Sequence, residues 1–330
     1  MERLQHYWYR LSLIHLVLFP VSLVFKTLVA LRRFLYRCGI FDTVKLPVPV
    51  IVVGNISVGG TGKTPLTLWL VKQLIGEGWH PVILSRGYRR SAKKHTPPRP
   101  VSPDDNPNDV GDEPLLMAQR ELCPVWIGND RPAVAQRMLE AHSECDVIVC
   151  DDGLQHYRLK RDLELVVVDG NRRYGNRLML PAGPLREPIS RLHEADAVVV
   201  NGGAVSDSEF SMRLEGTQFF NLLNPRLISN ANDFAGQRLH AIAGIGHPQR
   251  FFRHLEQLGL NCTTHSFADH YFYLSSDLDF KDADAILMTE KDAVKCAGFA
   301  TEKLWVLRVD AQVSPALAQL IKDKISLHGR

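Results

Sequence analysis

The sequence predicts an α/β protein. A parallel sheet carries a glycine-rich phosphate-binding turn, a second and smaller α/β domain follows it, and an apolar, basic helix precedes it. Three observations predict this arrangement. Short β-branched runs alternate with helical stretches, one of those runs ends in a glycine-rich turn leading into Gly-Lys-Thr, and the rhythm restarts after Gly216. Alternation of this kind calls for parallel strands covered by helices on both faces. A chain of 330 residues accommodates about two domains at the usual size. The expected division is a helical segment over 1–45, a sheet core over 46–216 and a smaller α/β unit over 217–330.

Composition removes several classes. With 45% hydrophobic and 23% charged residues the chain is an average globular one, which excludes intrinsic disorder, collagen-like repeats and a polytopic membrane protein. Six scattered cysteines with no C-x-x-C pair fit reduced cytosolic thiols and argue against a zinc knuckle or a disulfide framework. The net charge is +3, but through Lys45 seven basic residues face only Glu2 and Asp42. The rest therefore sums to about −2, so no nucleic-acid partner is expected and the positive charge sits at one end.

Leu11 to Ala30 is apolar but interrupted by His15, Pro20 and Lys26, and Arg32, Arg33 and Arg37 follow directly. Proline and lysine make it a poor spanning helix, and the lack of a small-residue cleavage site makes it a poor signal peptide. An apolar helix trailed by arginines suits the interface of an anionic leaflet. The bland alternative is an ordinary core helix with a basic cap. The membrane reading expects the intact chain to sediment with membranes and to be released by detergent.

Pro49 to Val53 reads as a buried parallel strand ending at Gly54. Ser57-Val58-Gly59-Gly60-Thr61-Gly62-Lys63-Thr64 comes next, and Pro65 to Leu74 has helical spacing with proline in the first turn. Strand, glycine turn, Gly-Lys-Thr and helix form the context that a P-loop NTPase-like core requires. The glycines let amides turn toward phosphate oxygens and the helix amino-terminus adds a favourable dipole. Lys63 should reach the β- and γ-phosphates of a nucleotide, with the Thr64 hydroxyl in a Mg²⁺ shell. Ser57 occupies the place of the usual first glycine. The variant V-G-G-x-G-K-T fits better, without the extra lysine that some loops of that class carry at Val58.

Asp146 to Asp152 is a second buried-strand pattern ending in two carboxylates, Asp151 and Asp152, where Mg²⁺ is held directly or through water. Gly111-Asp112-Glu113-Pro114 opens a helix after a Pro/Asn/Asp-rich stretch, and the plainest reading of Asp112 is a helix cap. Asp269-His270 is a weak candidate for orienting a base. Arg86 after the 80–84 strand pattern, Arg131 at a helix start, and Arg186 beside Glu187 could meet phosphates, since ligands in open α/β sheets bind at strand ends. Thr289-Glu290-Lys291-Asp292 superficially resembles a guanine-reading loop, but its lysine and aspartate are adjacent, which favours ATP over GTP. Further strand-like runs lie near 125–127, 163–168 and 197–200. Beyond Gly216 they lie at Phe219–Leu223, Leu239–Ile242, Cys262–Phe267, Ala285–Met288 and Leu304–Val309, with helices near 247–258 and 313–327.

In combination these motifs resemble one family, the lipid A 4'-kinases (tetraacyldisaccharide 4'-kinases). The resemblance rests on Val53-Gly54-Asn55-Ile56 with the Gly-Gly-Thr-Gly-Lys-Thr loop, Ser85-Arg86-Gly87-Tyr88 and Gly111-Asp112-Glu113-Pro114. It extends through Asp151-Asp152-Gly153-Leu154-Gln155-His156, Pro184-Leu185-Arg186-Glu187, Asp269-His270 and Thr289 to Lys295, and covers nearly the whole chain. It implies transfer of the ATP γ-phosphoryl to the 4'-hydroxyl of a tetraacyl-disaccharide 1-phosphate, a lipid A precursor, at the cytoplasmic face of the inner membrane. It also implies Asp112 as base with His270 assisting, against the cap reading. Asp151, Asp152 and Glu187 become candidates for Mg²⁺ or water. Arg86, Tyr88, Glu113, Arg131, Gln155, His156 and Arg186 are placed toward the acceptor, and no obligate protein partner is implied. The competing class is a membrane-associated P-loop ATPase switch, which would release only free phosphate where a kinase labels a lipid.

Overall fold

The computed structural model describes residues 7–9, 13–87 and 97–326. Helix α1, Leu13–Arg37, has 25 residues and contains Pro20. It is long and apolar enough to cross a membrane by length and composition, with mean hydropathy 2.1 and only 11% of its most apolar window buried. Leu16, Val17, Val24 and Leu28 point outward, while Phe25 and Val29 pack on the body and the Ser22 hydroxyl donates to the Met179 carbonyl at 2.7 Å. At its basic end Arg33 and Arg37 both reach Glu194, at 2.5 and 2.6 Å.

The first sheet is built from β1 (Val50–Gly54), β2 (Pro81–Ser85), β3 (Arg99–Pro100), β4 (Val125–Ile127), β5 (Val147–Asp151), β6 (Leu163–Asp169), β7 (Ala197–Asn201) and β8 (Phe210–Glu215). Its helices are α2 (Lys63–Gly76), α3 (Pro107–Val110), α4 (Asp112–Gln119) and α5 (Arg131–Ala141). The second sheet uses β9 (Gln218–Asn221), β10 (Ile228–Asn230), β11 (Leu239–Ala243), β12 (Cys262–Ser266), β13 (Ala285–Thr289) and β14 (Leu304–Leu307), with α6 (Pro248–Gln257) and α7 (Glu290–Cys296). The chain closes with β15 (Asp310–Val313) and α8 (Pro315–Ser326).

Among the described residues the first sheet has nine strands in the order β15-β8-β7-β6-β1-β5-β2-β4-β3, parallel except for β3 and β15 at its two edges. Strand β1 is buried at every position because both its faces are covered, which is why its sequence is continuously apolar. Ile51 and Val53 pack with Leu66 and Leu70 of α2 and Leu317 and Ile321 of α8. Val50 and Val52 pack on the opposite face with Val134 and Met138 of α5. From β1 the chain crosses over β5 to reach β2, so the carboxyl ends of β1 and β5 flank a crevice of the kind that receives ligands. The second sheet runs β10-β9-β14-β13-β11-β12, parallel over its last four strands.

Two expectations need correction. The expected smaller unit, 217–330, overruns its sheet: β15 pairs with β8, and Leu317, Ile321 and Ile325 bury themselves in the first core. Strands β3, β8, β10 and β15 were also unexpected, and the helix predicted from 313 begins at Pro315 after a strand. These four lie toward sheet edges and alternate or expose their side chains, so they lack the apolar run that marks β1.

Candidate active site

The phosphate loop leaves β1 and enters α2 at Gly62, whose φ of 99° is a left-handed conformation that glycine adopts without a side-chain clash. Its neighbours fix the loop on several sides. Asn55 Nδ2 donates to Thr61 Oγ1 at 3.2 Å, Asn201 Nδ2 donates to the Thr61 carbonyl at 3.0 Å, and the Val58 amide donates to the Pro184 carbonyl at 2.8 Å. Val58, Gly59, Gly60 and Lys63 line a cleft of about 1390 Å³ between the two sheets, while Thr64 is buried in the first turn of α2.

At the end of β5 the two aspartates differ. Burial, then the Glu113 charge, push Asp151 up to about 7, and Thr67 Oγ1 donates to its Oδ1 at 3.3 Å. Asp152 lies 3.6 Å from Lys63 Nζ and 3.4 Å from Arg186 Nη1. Burial opposes its ionisation, but those two cations outweigh it and hold the carboxyl at about 2. Among the described residues no three His, Cys, Asp or Glu side chains enclose a metal by themselves. Mg²⁺ keeps waters and takes phosphate oxygens beside one or two carboxylates, and the adjacent Asp151 and Asp152 at the end of β5 are carboxylates of that kind. Thr64, Asp151 and Asp152 could hold it, and among the described residues no cation stands within ion-pair distance of the buried Asp151 carboxyl.

Several expected residues stand elsewhere. Arg131 is fully buried and does not line the cleft; its guanidinium donates to the carbonyls of Ser85, Gly128 and Asp151. It therefore ties the ends of β2, β4 and β5 together, because a buried guanidinium must satisfy its donors. Glu187 is likewise fully buried, held by Gln155 Nε2 at 2.6 Å and Arg191 Nε at 3.2 Å, and lies outside the cleft lining. Arg191 stands within ion-pair distance of it, and the Glu187 Oε2 accepts no hydrogen bond among the described residues. Gln155 bridges Glu187 to the Asn55 carbonyl at 3.2 Å. His156 is pushed down to about 3 by burial and by Arg131, and it lies outside the cleft lining. Arg86 and Arg186 line the cleft, and Tyr88 lies outside the described residues.

The opposite wall comes from both sheets. Asp112 opens α4 but does not cap it; the preceding Gly111 holds that place. Asp112 Oδ2 instead faces His270 Nδ1 at 2.8 Å, across a separation of 158 residues. Burial alone would raise the Asp112 carboxyl, but the His270 hydrogen bond and then the Lys291 charge hold it at about 2. His270 in turn is raised, first by its bond to Asp112. Its backbone sits at φ 59°, a strained position for a non-glycine residue, with its amide donating to Asp269 Oδ1.

Lys291, part of the Thr289 to Lys295 run but given no role of its own by the sequence, reaches Glu113 at 3.0 Å, Asp269 at 3.2 Å and Asp112 at 3.9 Å. It thus holds α4 to the loop carrying His270. The adjacent Asp292 is fully buried and is taken by the Gly244 amide, the Tyr273 hydroxyl and Lys295.

A cleft that can grip a triphosphate on one wall and accept a hydroxyl proton on the other is the equipment of a nucleotide-dependent kinase. The sequence model of tetraacyldisaccharide-1-P 4'-kinase (LpxK) matches residues 14–326. The tetraacyldisaccharide 4'-kinase of Methylobacillus flagellatus is 48% identical over 324 residues, covering 98% of this chain and 96% of its own. That of Dechloromonas aromatica is 50% identical over 315 residues, covering 94% and 92%. The crystal structure of the "apo" form of LpxK from Aquifex aeolicus in complex with ATP superposes with a TM-score of 0.79 at 31% identity. It covers 94% of this chain and 99% of that one. The chain belongs to the tetraacyldisaccharide 4'-kinase family, and it is an ATP-dependent kinase of lipid A synthesis.

Proposed function

We propose that the enzyme moves the γ-phosphoryl of ATP to the 4'-hydroxyl of a tetraacyl-disaccharide 1-phosphate, with Asp112 as the base. One observation carries the reading: the Asp112 carboxyl, 2.8 Å from His270, faces the same cleft as Lys63 and the phosphate loop. A sugar hydroxyl is a poor nucleophile, so a positioned carboxylate that takes its proton as the bond forms lowers the barrier. His270 aims Asp112, and against the upward push of burial the His270 hydrogen bond and then the Lys291 charge hold the carboxyl down. Lys63 and the loop amides hold the β- and γ-phosphates, and Thr64, Asp151 and Asp152 would hold Mg²⁺. When bound, the metal offsets charge on the phosphate oxygens.

The outward apolar face of α1 gives this reading its setting. A four-chain lipid leaves the bilayer at a cost of about 0.8 kcal/mol per exposed CH₂, so the enzyme comes to the lipid. In this reading α1 rests on the cytoplasmic face of the inner membrane with its arginines toward anionic headgroups. The test is transfer of label from [γ-³²P]ATP to purified disaccharide lipid in mixed micelles. Asp112→Ala is expected to lower turnover by on the order of 10² or more while ATP affinity barely moves. Near wild-type turnover removes Asp112 from the base role, and release of free phosphate without labelled lipid removes the kinase reading altogether.

A further inference from the structure

We propose that Arg172 is a further catalytic residue, its guanidinium placed over the phosphate loop at Gly59 to offset charge on the transferring phosphoryl, with Tyr9 as its positioning residue. The inference rests on the kinase reading above and deepens it. The position a Cβ would take on Gly59 lies 3.6 Å from Arg172 Nη1, and both residues line the cleft. Gly59 belongs to the loop whose amides take the phosphates, so a cation over it reaches phosphate oxygens, not base or ribose.

Three other cations near the loop are already engaged. Lys63 and Arg186 face Asp152, and Arg250 faces Asp169 at 3.1 Å. Among the described residues no carboxylate stands within ion-pair distance of the Arg172 guanidinium. Its contact is instead the face of Tyr9, with Cζ 5.8 Å from the ring centroid. An aromatic face orients a guanidinium without neutralising it. The backbone of Arg172 is fixed too, since its amide donates to Asp169 Oδ1 at 3.0 Å just beyond β6.

The aromatic shelf is anchored from below. Trp8 is 3% exposed, its Nε1 donates to the Pro181 carbonyl at 3.0 Å, and its own carbonyl accepts from the Asn176 amide at 2.9 Å. The segment just before α1 is thereby fastened to the same 171–184 stretch that carries Arg172. A planar fork held in place with its charge uncompensated is suited to bind two oxygens as negative charge builds on them. Arginines supplied this way act on the transition state of phosphoryl transfer more than on nucleotide binding.

The experiment is calorimetric titration of the full chain with MgADP, alone and with fluoroaluminate as a mimic of the planar phosphoryl group, alongside lipid-kinase kinetics. Arg172→Ala is expected to keep MgADP affinity within about twofold and to lose on the order of 10²–10³ in both kcat and affinity for the mimic. Arg172→Lys restores less than about a tenth of either, since an ammonium lacks the fork. Tyr9→Leu lowers kcat about tenfold at steady KM for ATP, and Tyr9→Phe, which retains the ring, recovers most of it. Equal binding of the mimic by wild type and Arg172→Ala overturns the inference alone. So does a rise in KM for the lipid with kcat intact, which would assign the guanidinium to the acceptor's phosphate. Failure of the wild type to bind MgADP overturns the kinase reading and the inference together.

Discussion

The two walls of the cleft are made by opposite means. The phosphate wall is local: Ser57 to Thr64 are consecutive, and the strand before them and the helix after them are neighbours in the chain. The base wall is assembled from distant pieces: Asp112 and Glu113 from α4, Asp269 and His270 from the loop after β12, and Lys291 from α7. One wall persists wherever its own turn folds. The other exists only when α4 and α7 are held together. The buried pair of Arg120 and Glu290, at 2.7 Å, does much of that holding, with Arg120 also donating to the Val309 carbonyl at 2.8 Å.

This contrast can be broken one wall at a time. The largest effect is expected from Lys63→Ala, which should lower kcat by on the order of 10²–10³ while leaving the Asp112–His270 pair intact. Steady-state kinetics with the lipid acceptor measures it, and a loss below about threefold contradicts the local account. Next, Arg120→Ala should destabilise the protein by about 3 kcal/mol, because it leaves Glu290 buried and unpaired. Denaturant unfolding reads that cost, and an unchanged midpoint would show that the walls are held together by something else.

The smallest effect is a pH dependence. Asp112 is held down at about 2, so its contribution to stability is present above the ordinary carboxylate range and fades as pH falls toward 2. His270 is raised, so its contribution is full below about 6.5 and fades as pH climbs through the raised value. His270→Gln should therefore lose most stability between about pH 4 and 6.5, by no more than about 2 kcal/mol, and less on either side. Thermal midpoints of both proteins across pH 2–9 measure the difference; a gap independent of pH removes the charge pairing.

The same contrast governs what was legible in the sequence. A phosphate loop and a doubly buried strand advertise themselves, because consecutive residues meet one physical demand. Asp112 looked like a cap because its partner is 158 residues away, and only the resemblance to a family brought the two together. Arg131 at a helix start reads as a phosphate-seeking surface group; its burial under three carbonyls depends on strands that meet only in three dimensions. Glu187 came in only through the resemblance, and its burial beside Gln155 and Arg191 could not be read from Pro184-Leu185-Arg186-Glu187, although Arg191 stands four residues on. Lys291 carried a signal in its acidic and basic run, but the acids it binds lie in other segments. The return of β15 and α8 to the first sheet was hidden because a polar edge strand has no distinctive pattern.

That return has a mechanical consequence. Since the chain goes out to the smaller sheet after Glu215 and comes back before Asp310, the smaller lobe hangs from the larger by two covalent crossings. They run side by side: the Arg308 amide donates to the Gln218 carbonyl at 3.1 Å, and a Cβ on Gly216 would lie 2.0 Å from the Arg308 carbonyl oxygen. A lobe on one strand can swivel, whereas two abutting crossings restrain that freedom. Gly216 is the tightest point of that double tether, the place where a single added methyl group would force the two crossings apart.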